Sequence, residues 1–174
     1  MPRYVALFRG INIGKAKRIA MADLRALLEK LGYSNVSTLL NSGNAVFTAP
    51  ASASHAARIR AAVAKQLGVD ALVVVKSSKD IAAIISGNEL GKTANDPARL
   101  LVVMTHDRKS LAVVKAMAPA AYGDEKLHVG KHAAYLWCAN GILESKLAVA
   151  LLKELGDAGT TRNWATLGKI QALM

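Results

Sequence analysis

The sequence predicts an α+β protein built from two consecutive subdomains. Apolar segments of strand length alternate with segments whose apolar residues recur at helical spacing. The first series follows the order β-α-β-β-α-β, which is the order of ferredoxin-like folds. A polar segment rich in turn residues, 86–98, separates it from a second series. We therefore expect a ferredoxin-like subdomain at residues 1–86 and a second α+β subdomain at residues 97–174.

Short apolar runs bounded by turn residues mark the strands of the first subdomain. They are Tyr4–Phe8, Val36–Leu40, Ala45–Thr48 and Leu72–Val75. Two helices lie between them, because leucines recur at helical spacing from Met21 to Leu31 before Gly32, and a second periodic segment ends at Gly68. A short helix over Ser78–Ser86 completes this half.

The second subdomain repeats the order only in part, as β-α-β-β-α followed by a C-terminal helix. Its predicted strands are Leu100–Met104, Leu127–Val129 and Ala133–Cys138, and its helices are Lys109–Ala118, Leu143–Leu155 and Asn163–Leu173. Thr160 or Thr161 is expected to cap the last helix, which would leave Arg162 and Asn163 in its first turn. The helix dipole opposes an arginine there, so we expect Arg162 to bind an anion or a buried carboxylate.

Positive charge is the strongest compositional signal. The chain has 23 Lys and Arg residues against 12 Asp and Glu, a net charge of +11. Residues 1–22 contain five basic residues and no acid. This balance favours an anionic partner, either nucleic acid or a phosphorylated small molecule. The alternative is a basic protein whose charge has no role in binding.

Cysteine use and hydropathy indicate the compartment. The single cysteine, Cys138, rules out an internal disulfide and suits a reducing environment. It follows Trp137 in an apolar run, which is typical of a buried thiol rather than a nucleophile. Arg9 interrupts the first apolar stretch too early for a secretory signal, and basic residues interrupt the alanine-rich segments. We expect a cytoplasmic protein with no membrane partner.

The glycine-containing stretch after the first strand does not fit a known nucleotide loop. A nucleoside-triphosphate loop needs four residues between its glycines and a hydroxyl residue after its lysine. Here three residues separate Gly10 from Gly14, and Ala16 follows Lys15. The dinucleotide pattern fails too, because Asn12 stands where its second glycine belongs.

Metal, covalent and base-stacking chemistry are also disfavoured. The four histidines and the lone cysteine show no metal-ligand spacing, so no metal and no cofactor are predicted. No serine motif marks a nucleophile, and no catalytic residue is assigned. RNA-recognition modules share the strand order of the first half, but they stack bases on aromatic residues of the first and third strands. Phe8 suits the first strand, whereas Asn44 and Val46 occupy the positions on the third.

The predicted topology brings two polar segments to one edge of the first sheet. The first two strands run parallel, with the third antiparallel between them, so the loop after strand one and the turn after strand two emerge together. We expect the ligand there, with residues 161–163 folding against it from the second subdomain. The candidate residues are Arg9, Gly10, Asn12, Lys15, Asn41, Ser42, Asn44, Thr161, Arg162 and Asn163. The alternative is that Asn12 and Asn44 cap turns and that Arg9 pairs with a carboxylate.

Four segments carry a family resemblance. They are "YVALFRGINIG", "MADLRALLEKLGYSNVSTLLNSGNAVF", "GILESKL" and "TTRNWATLGKIQAL". In this order, and over nearly the whole chain, they resemble DUF1697, a bacterial family of unknown function. Family members often carry a basic residue where this chain has Glu144. The resemblance implies a two-part α+β protein, with no assigned reaction or ligand.

Three classes of function stay open at this stage. The first is a binding protein for an anionic ligand at the edge just described. The second is an enzyme that acts on a small anionic substrate in a cleft between the subdomains, without a metal or a covalent nucleophile. The third is a protein-interaction module, which would show a large exposed apolar patch.

Overall fold

The computed structural model describes residues 1–121 and 123–174, and these form two compact units. The first unit comprises Met1–Ile81 together with Lys169–Met174, and the second comprises Ala82–Gly168. Both combine helices with a four-stranded sheet, so the predicted α+β class is confirmed. The subdomain limits of 1–86 and 97–174 stay a prediction.

The first unit is an antiparallel sheet with helices packed on it, and the spatial order of its strands differs from their order in the chain. Its strands are β1 (Arg3–Phe8), β2 (Ser34–Leu39), β3 (Asn44–Thr48) and β4 (Val73–Ser77), in the spatial order β2-β3-β1-β4. Its helices are α1 (Met21–Lys30) and α2 (His55–Leu67), and α3 (Ser78–Ser86) begins here and continues into the second unit. Val5 of β1 lies opposite Val46 of β3 in an antiparallel pair, which confirms the predicted pairing of the first and third strands.

The local sequence explains which face of α1 is buried and where the helix ends. Leu24, Leu27 and Leu28 lie on one face of the helix and are buried. Gly32 follows the helix with φ +88°, a conformation that glycine adopts without steric cost. The Gly32 N–H donates to the Glu29 carbonyl and the Tyr33 N–H to the Leu28 carbonyl, so the last carbonyls of the helix are satisfied.

Both faces of the two central strands of the first sheet, β1 and β3, are largely buried. Phe8 and Phe47 lie in the core that the sheet forms with α1 and α2. Val5 and Val46 point to the opposite face and are also 0% exposed. The suggestion that Phe8 suits base stacking is therefore wrong, because its ring is inside the core. Strands β1 and β3, which carry the stacking rings in RNA-recognition modules, therefore present no exposed aromatic ring in this sheet.

The second unit has the same strand order as the first. Its strands are β5 (Leu100–Thr105), β6 (Lys126–Val129), β7 (Ala134–Trp137) and β8 (Gly159–Asn163), in the spatial order β6-β7-β5-β8. Its helices are α4 (Leu111–Ala116), α5 (Lys146–Leu155) and the start of α6 (Trp164–Ala172), with 3₁₀ turns at Ala118–Ala120, Ile142–Glu144 and Gly156–Ala158. A core of sheet, α4 and α5 residues, including Val103, Val114 and Leu151, holds this unit together.

Residues 159–163 form a strand, so the predicted helix cap at Thr160 or Thr161 is wrong. These residues form strand β8 and pair antiparallel with β5, with Arg162 opposite Val102. Neither Thr160 nor Thr161 caps the last helix. Asn163 does so, because its Oδ1 accepts a hydrogen bond from the Thr166 N–H at 2.8 Å. The second unit is therefore a complete β-α-β-β-α-β unit like the first.

None of the helices in residues 1–121 and 123–174 is long and apolar enough to cross a membrane.

Candidate functional site

The segment between β1 and α1, residues 9–20, is the most irregular part of the first unit, and we call it the β1–α1 loop. Four of its residues adopt left-handed backbone conformations: Gly10 (φ +70°), Asn12 (φ +55°), Gly14 (φ +59°) and Lys17 (φ +48°). The Asn12 N–H donates to the Lys17 carbonyl at 3.0 Å, and Ile13 forms a bridge with Ala16. The loop therefore folds back on itself, and its basic residues Lys15, Lys17 and Arg18 are exposed.

The side chain of Asn12 joins this loop to the turn between β2 and β3. Its Nδ2 donates to the Ile19 carbonyl and to the Asn41 carbonyl, each at 2.8 Å. Its Oδ1 accepts from the Ile19 N–H at 2.8 Å. The loop and the turn thus meet at one edge of the sheet, as the predicted strand order requires. Both amide hydrogens of Asn12 are used, so this side chain holds the site together and does not donate to a ligand.

Asn44 has a similar structural role at the base of the turn. It is 0% exposed, and its Nδ2 donates to the Leu39 carbonyl at 2.7 Å and to the Ser42 Oγ at 3.2 Å. Both of its amide hydrogens are therefore used inside the protein. Asn12 and Asn44 thus both stabilise the loop and the turn, and their contact with a ligand stays a prediction.

Gly43 packs the turn against the end of β1. Its carbonyl accepts from the Phe8 N–H at 2.9 Å, and its φ is +89°. A Cβ at this position would lie 2.6 Å from Cδ1 of Ile11 and 2.8 Å from Cβ of Phe8. Only glycine fits here, because these distances are shorter than side-chain contacts allow.

A cleft of about 320 Å³ opens where the loop meets the turn. It is lined by Asn12, Arg18, Ile19, Ala20 and Asn41. The Arg18 Nη1 donates to the Gly14 carbonyl at 3.0 Å. Among residues 1–121 and 123–174, Arg18 has no carboxylate partner, and the Asn41 side-chain amide has no hydrogen bond. The cleft therefore holds one guanidinium and one amide that are available to a ligand.

Arg18 was not among the predicted site residues, although it belongs to the acid-free segment of residues 1–22. Of the predicted residues, Asn12 and Asn41 line the cleft. Gly10, Lys15 and Ser42 are exposed on the same loop and turn. Arg9 is half-buried, and its backbone N–H donates to the Leu72 carbonyl at 2.9 Å.

The predicted residues Thr161, Arg162 and Asn163 belong to the second unit, on β8. Arg162 is 8% exposed, and its Nη1 donates to the Thr161 carbonyl at 2.7 Å and to the Thr160 Oγ1 at 3.2 Å. Burial lowers the pKa of its guanidinium to about 10, because desolvation disfavours the charged form. The predicted approach of these residues to the β1–α1 loop stays a prediction.

Positive charge is distributed unequally between the units. The first unit has 13 Lys and Arg residues against 4 Asp and Glu, a net charge of +9. The second has 10 against 8, a net charge of +2. Most of the excess charge thus lies in the unit that contains the cleft.

Groups capable of covalent or metal chemistry occupy structural positions. Cys138 is fully buried, as predicted, and burial raises the pKa of its thiol to about 11. The Ser145 Oγ accepts from the Ala148 N–H at 3.1 Å and caps α5. Within the described part of the chain, no three His, Cys, Asp or Glu side chains are grouped closely enough to hold a metal. A second cleft of about 390 Å³, lined by Glu125, Asn140, Gly141, Glu144 and Lys146, combines both signs of charge.

Comparison with known protein families identifies the family to which this chain belongs. A family model described as "Protein of unknown function (DUF1697)" matches residues 1–135, which include both segments that form the cleft. The chain belongs to this family. The match confirms the resemblance drawn from the sequence, and the DUF1697 region contains the whole of the first sheet and the β1–α1 loop.

A solved structure supports the fold of this DUF1697 protein over its full length. The conserved bacterial protein SP0830 from Streptococcus pneumoniae is similar over 99% of this chain and 98% of its own, with a TM-score of 0.76 and 24% sequence identity. At this identity the similarity establishes the fold alone. No curated protein matches the chain.

Proposed function

We propose that this DUF1697 protein binds an anionic ligand in the cleft between the β1–α1 loop and the β2–β3 turn. The main support for this proposal is that Arg18 lines the cleft and uses few of its N–H groups within the protein. Its guanidinium lines the cleft, and its one hydrogen bond within the described residues goes to the Gly14 carbonyl. A planar guanidinium with unused N–H groups matches a phosphate or carboxylate in geometry as well as charge.

The hydrogen bonds of Asn12 and Asn44 support the proposal, because they fix the walls of the cleft before any ligand binds. Asn12 holds the loop to the turn, and Asn44 holds the turn to the end of β2. A site whose walls are already ordered loses less conformational entropy on binding.

The electrostatics of the surrounding unit favour the same class of ligand. The net charge of +9 attracts anions towards this unit and raises their association rate. Asp70, whose charge interacts with that of Lys17 on the loop, is already paired with Arg60 through an N–O distance of 2.6 Å. The hydrogen bond from Arg60 lowers the pKa of Asp70, so this carboxylate stays ionised and bound to its partner.

The direct test is Arg18→Gln, measured with inorganic phosphate and with a short single-stranded oligodeoxynucleotide at low salt. We expect binding of the preferred anion to weaken by about tenfold or more, because hydrogen bonds to charged groups contribute ~1.5–3 kcal/mol. The fold should be unaffected, since exposed charged side chains contribute ~0–1 kcal/mol to stability. The matched control is Arg108→Gln, which changes an exposed arginine in the loop after β5 of the second unit.

The salt dependence of the affinity distinguishes a nucleic-acid ligand from a small phosphorylated ligand. A nucleic acid that releases several counterions should lose affinity steeply as salt rises, whereas a single phosphate group should lose little. Unchanged affinity of Arg18→Gln, or equal losses in Arg18→Gln and Arg108→Gln, would rule out this cleft as the binding site.

A further inference from the structure

Two large aliphatic side chains are exposed on the β1–α1 loop and at the start of the β2–β3 turn, the two segments that form the cleft. Ile13 is 71% exposed and follows Asn12 in the chain, and Leu40 is 46% exposed and precedes Asn41. The hydrogen bond from the Asn12 side chain to the Asn41 carbonyl draws these two segments together. Each of the two segments that form the cleft therefore also carries an exposed aliphatic side chain next to a lining residue, and Ile19 and Ala20 belong to the lining itself.

The backbone of Leu40 makes this residue unfavourable for the fold. Its φ is +59°, in the left-handed region where a bulky side chain is a genuine outlier. Asn and Gly adopt this conformation more readily, and the turn at residues 40–43 would accept either. Leucine is unfavourable at this position for two reasons: its backbone conformation is strained, and its side chain leaves apolar surface exposed to water. Strain of this kind is found at functional sites.

We propose that the ligand is a small organic anion, with its anionic group on Arg18 and an apolar portion against Ile13 and Leu40. This inference rests on the proposed function and deepens it. A cleft of about 320 Å³ is at the lower end of the ~300–1,000 Å³ range of small-molecule sites. Asn41 lines the same cleft as Arg18 and follows Leu40 in the chain, so its side-chain amide can bind a polar atom of the same ligand.

Phenyl phosphate and inorganic phosphate are the probes, because they share the anionic group and differ in the apolar one. Calorimetric titration of the full chain should give tighter binding of phenyl phosphate, by about tenfold, which equals ~1.4 kcal/mol of apolar contact. Leu40→Asn and Ile13→Ser should each remove most of this difference and leave the affinity for inorganic phosphate unchanged. Arg18→Gln should weaken both ligands.

Two controls exclude trivial explanations. Leu143→Asn removes a leucine that is 95% exposed in the second unit, and it should leave both affinities at the wild-type value. Leu40→Asn should keep or raise the melting temperature, because asparagine tolerates the left-handed backbone. A lower affinity of that variant for phenyl phosphate then reflects lost contact and not unfolding.

The outcomes separate this inference from the proposed function. If the two phosphates bind equally and Arg18→Gln weakens both, the anion site stands and the apolar subsite is overturned. If neither phosphate nor the oligodeoxynucleotide binds, both proposals fail. If an oligodeoxynucleotide binds through Ile13 and Leu40 while phenyl phosphate does not bind, the ligand is a polynucleotide and the small-molecule class is wrong.

Discussion

The two units share one strand order but differ at the connection after their first strand. In the first unit 12 residues, 9–20, join β1 to α1, whereas in the second unit 5 residues, 106–110, join β5 to α4. The short connection is closed by Asp107, whose Oδ1 accepts from the Ser110 N–H at 2.9 Å. The long one is closed by Asn12 and contains four basic residues and no acid.

This comparison shows what the fold itself requires. The second unit forms the same sheet with a short, acid-containing connection and a net charge of only +2. A long basic loop is therefore not needed to build a β-α-β-β-α-β unit. The additional residues, their left-handed conformations and their charge are features of the first unit alone, and they surround its cleft.

The largest expected effect comes from the turn that faces the loop. Gly43→Ala should lower the free energy of unfolding by about 3 kcal/mol, because it combines a left-handed φ with a Cβ 2.6 Å from Ile11 Cδ1. Gly32→Ala is the matched control, since its φ is +88° but no atom lies within 4 Å of the added Cβ. It should cost about 1 kcal/mol. Equal losses in urea denaturation would show that the close packing of the turn is unimportant.

A smaller effect is expected from the residues that close the two connections. Asn12→Ala should destabilise the protein by about 2 kcal/mol, because it removes three hydrogen bonds and leaves the N–H of buried Ile19 without its acceptor. Asp107→Ala, in the exposed short connection, should cost about 1 kcal/mol or less. If the order of these two losses were reversed, the long loop would not depend on its asparagine.

The smallest effect is a pH dependence that belongs to the second unit. Burial raises the folded-state pKa of Cys138 to about 11, so the unfolded chain releases this proton first as the pH rises. The stability contributed by the neutral thiol is therefore fully present below the ordinary thiol pKa and is lost as the pH rises towards 11. Cys138→Ala should show a shallower loss of stability over that range.

Because of Tyr135, we expect Cys138→Ala to keep part of the loss of stability at alkaline pH. Burial also raises the pKa of Tyr135, to about 12, so part of the loss at the highest pH should remain in Cys138→Ala. Stability curves measured at neutral and alkaline pH check this directly. Identical alkaline slopes in the wild type and the variant would contradict a buried thiol that titrates late.

Elements with strong local signals could be predicted from the sequence. The helix over Ser78–Ser86 was predicted at its observed bounds, and α1 was predicted to within one residue at its C-terminal end. In both helices the signals are local: apolar residues at helical spacing mark the helix, and a glycine directly after it marks its end. The meeting of loop and turn was also predictable, because it depends only on strand order.

The missed features depend on contacts between distant residues. Strand β8 forms because β5 has an edge to pair with, about 60 residues earlier in the chain, and the local Thr-Thr-Arg-Asn sequence suits a helix cap equally well. The role of Asn12 depends on a carbonyl 29 residues away. Arg18 could be recognised as a basic loop residue, but only the folded loop shows that it lines a cleft.

The composition of the first unit has a consequence for the order of folding during synthesis. Its sheet lies within Met1–Ile81, but Lys169–Met174 also belong to it. A ribosome delivers those six residues only after it has made the whole of Ala82–Gly168. The first unit therefore receives its last residues only after the second unit has been synthesised, although N-terminal units generally fold first. All four strands of the first sheet, by contrast, are synthesised before any residue of the second unit, so this sheet can form early and receive the last six residues of its unit afterwards.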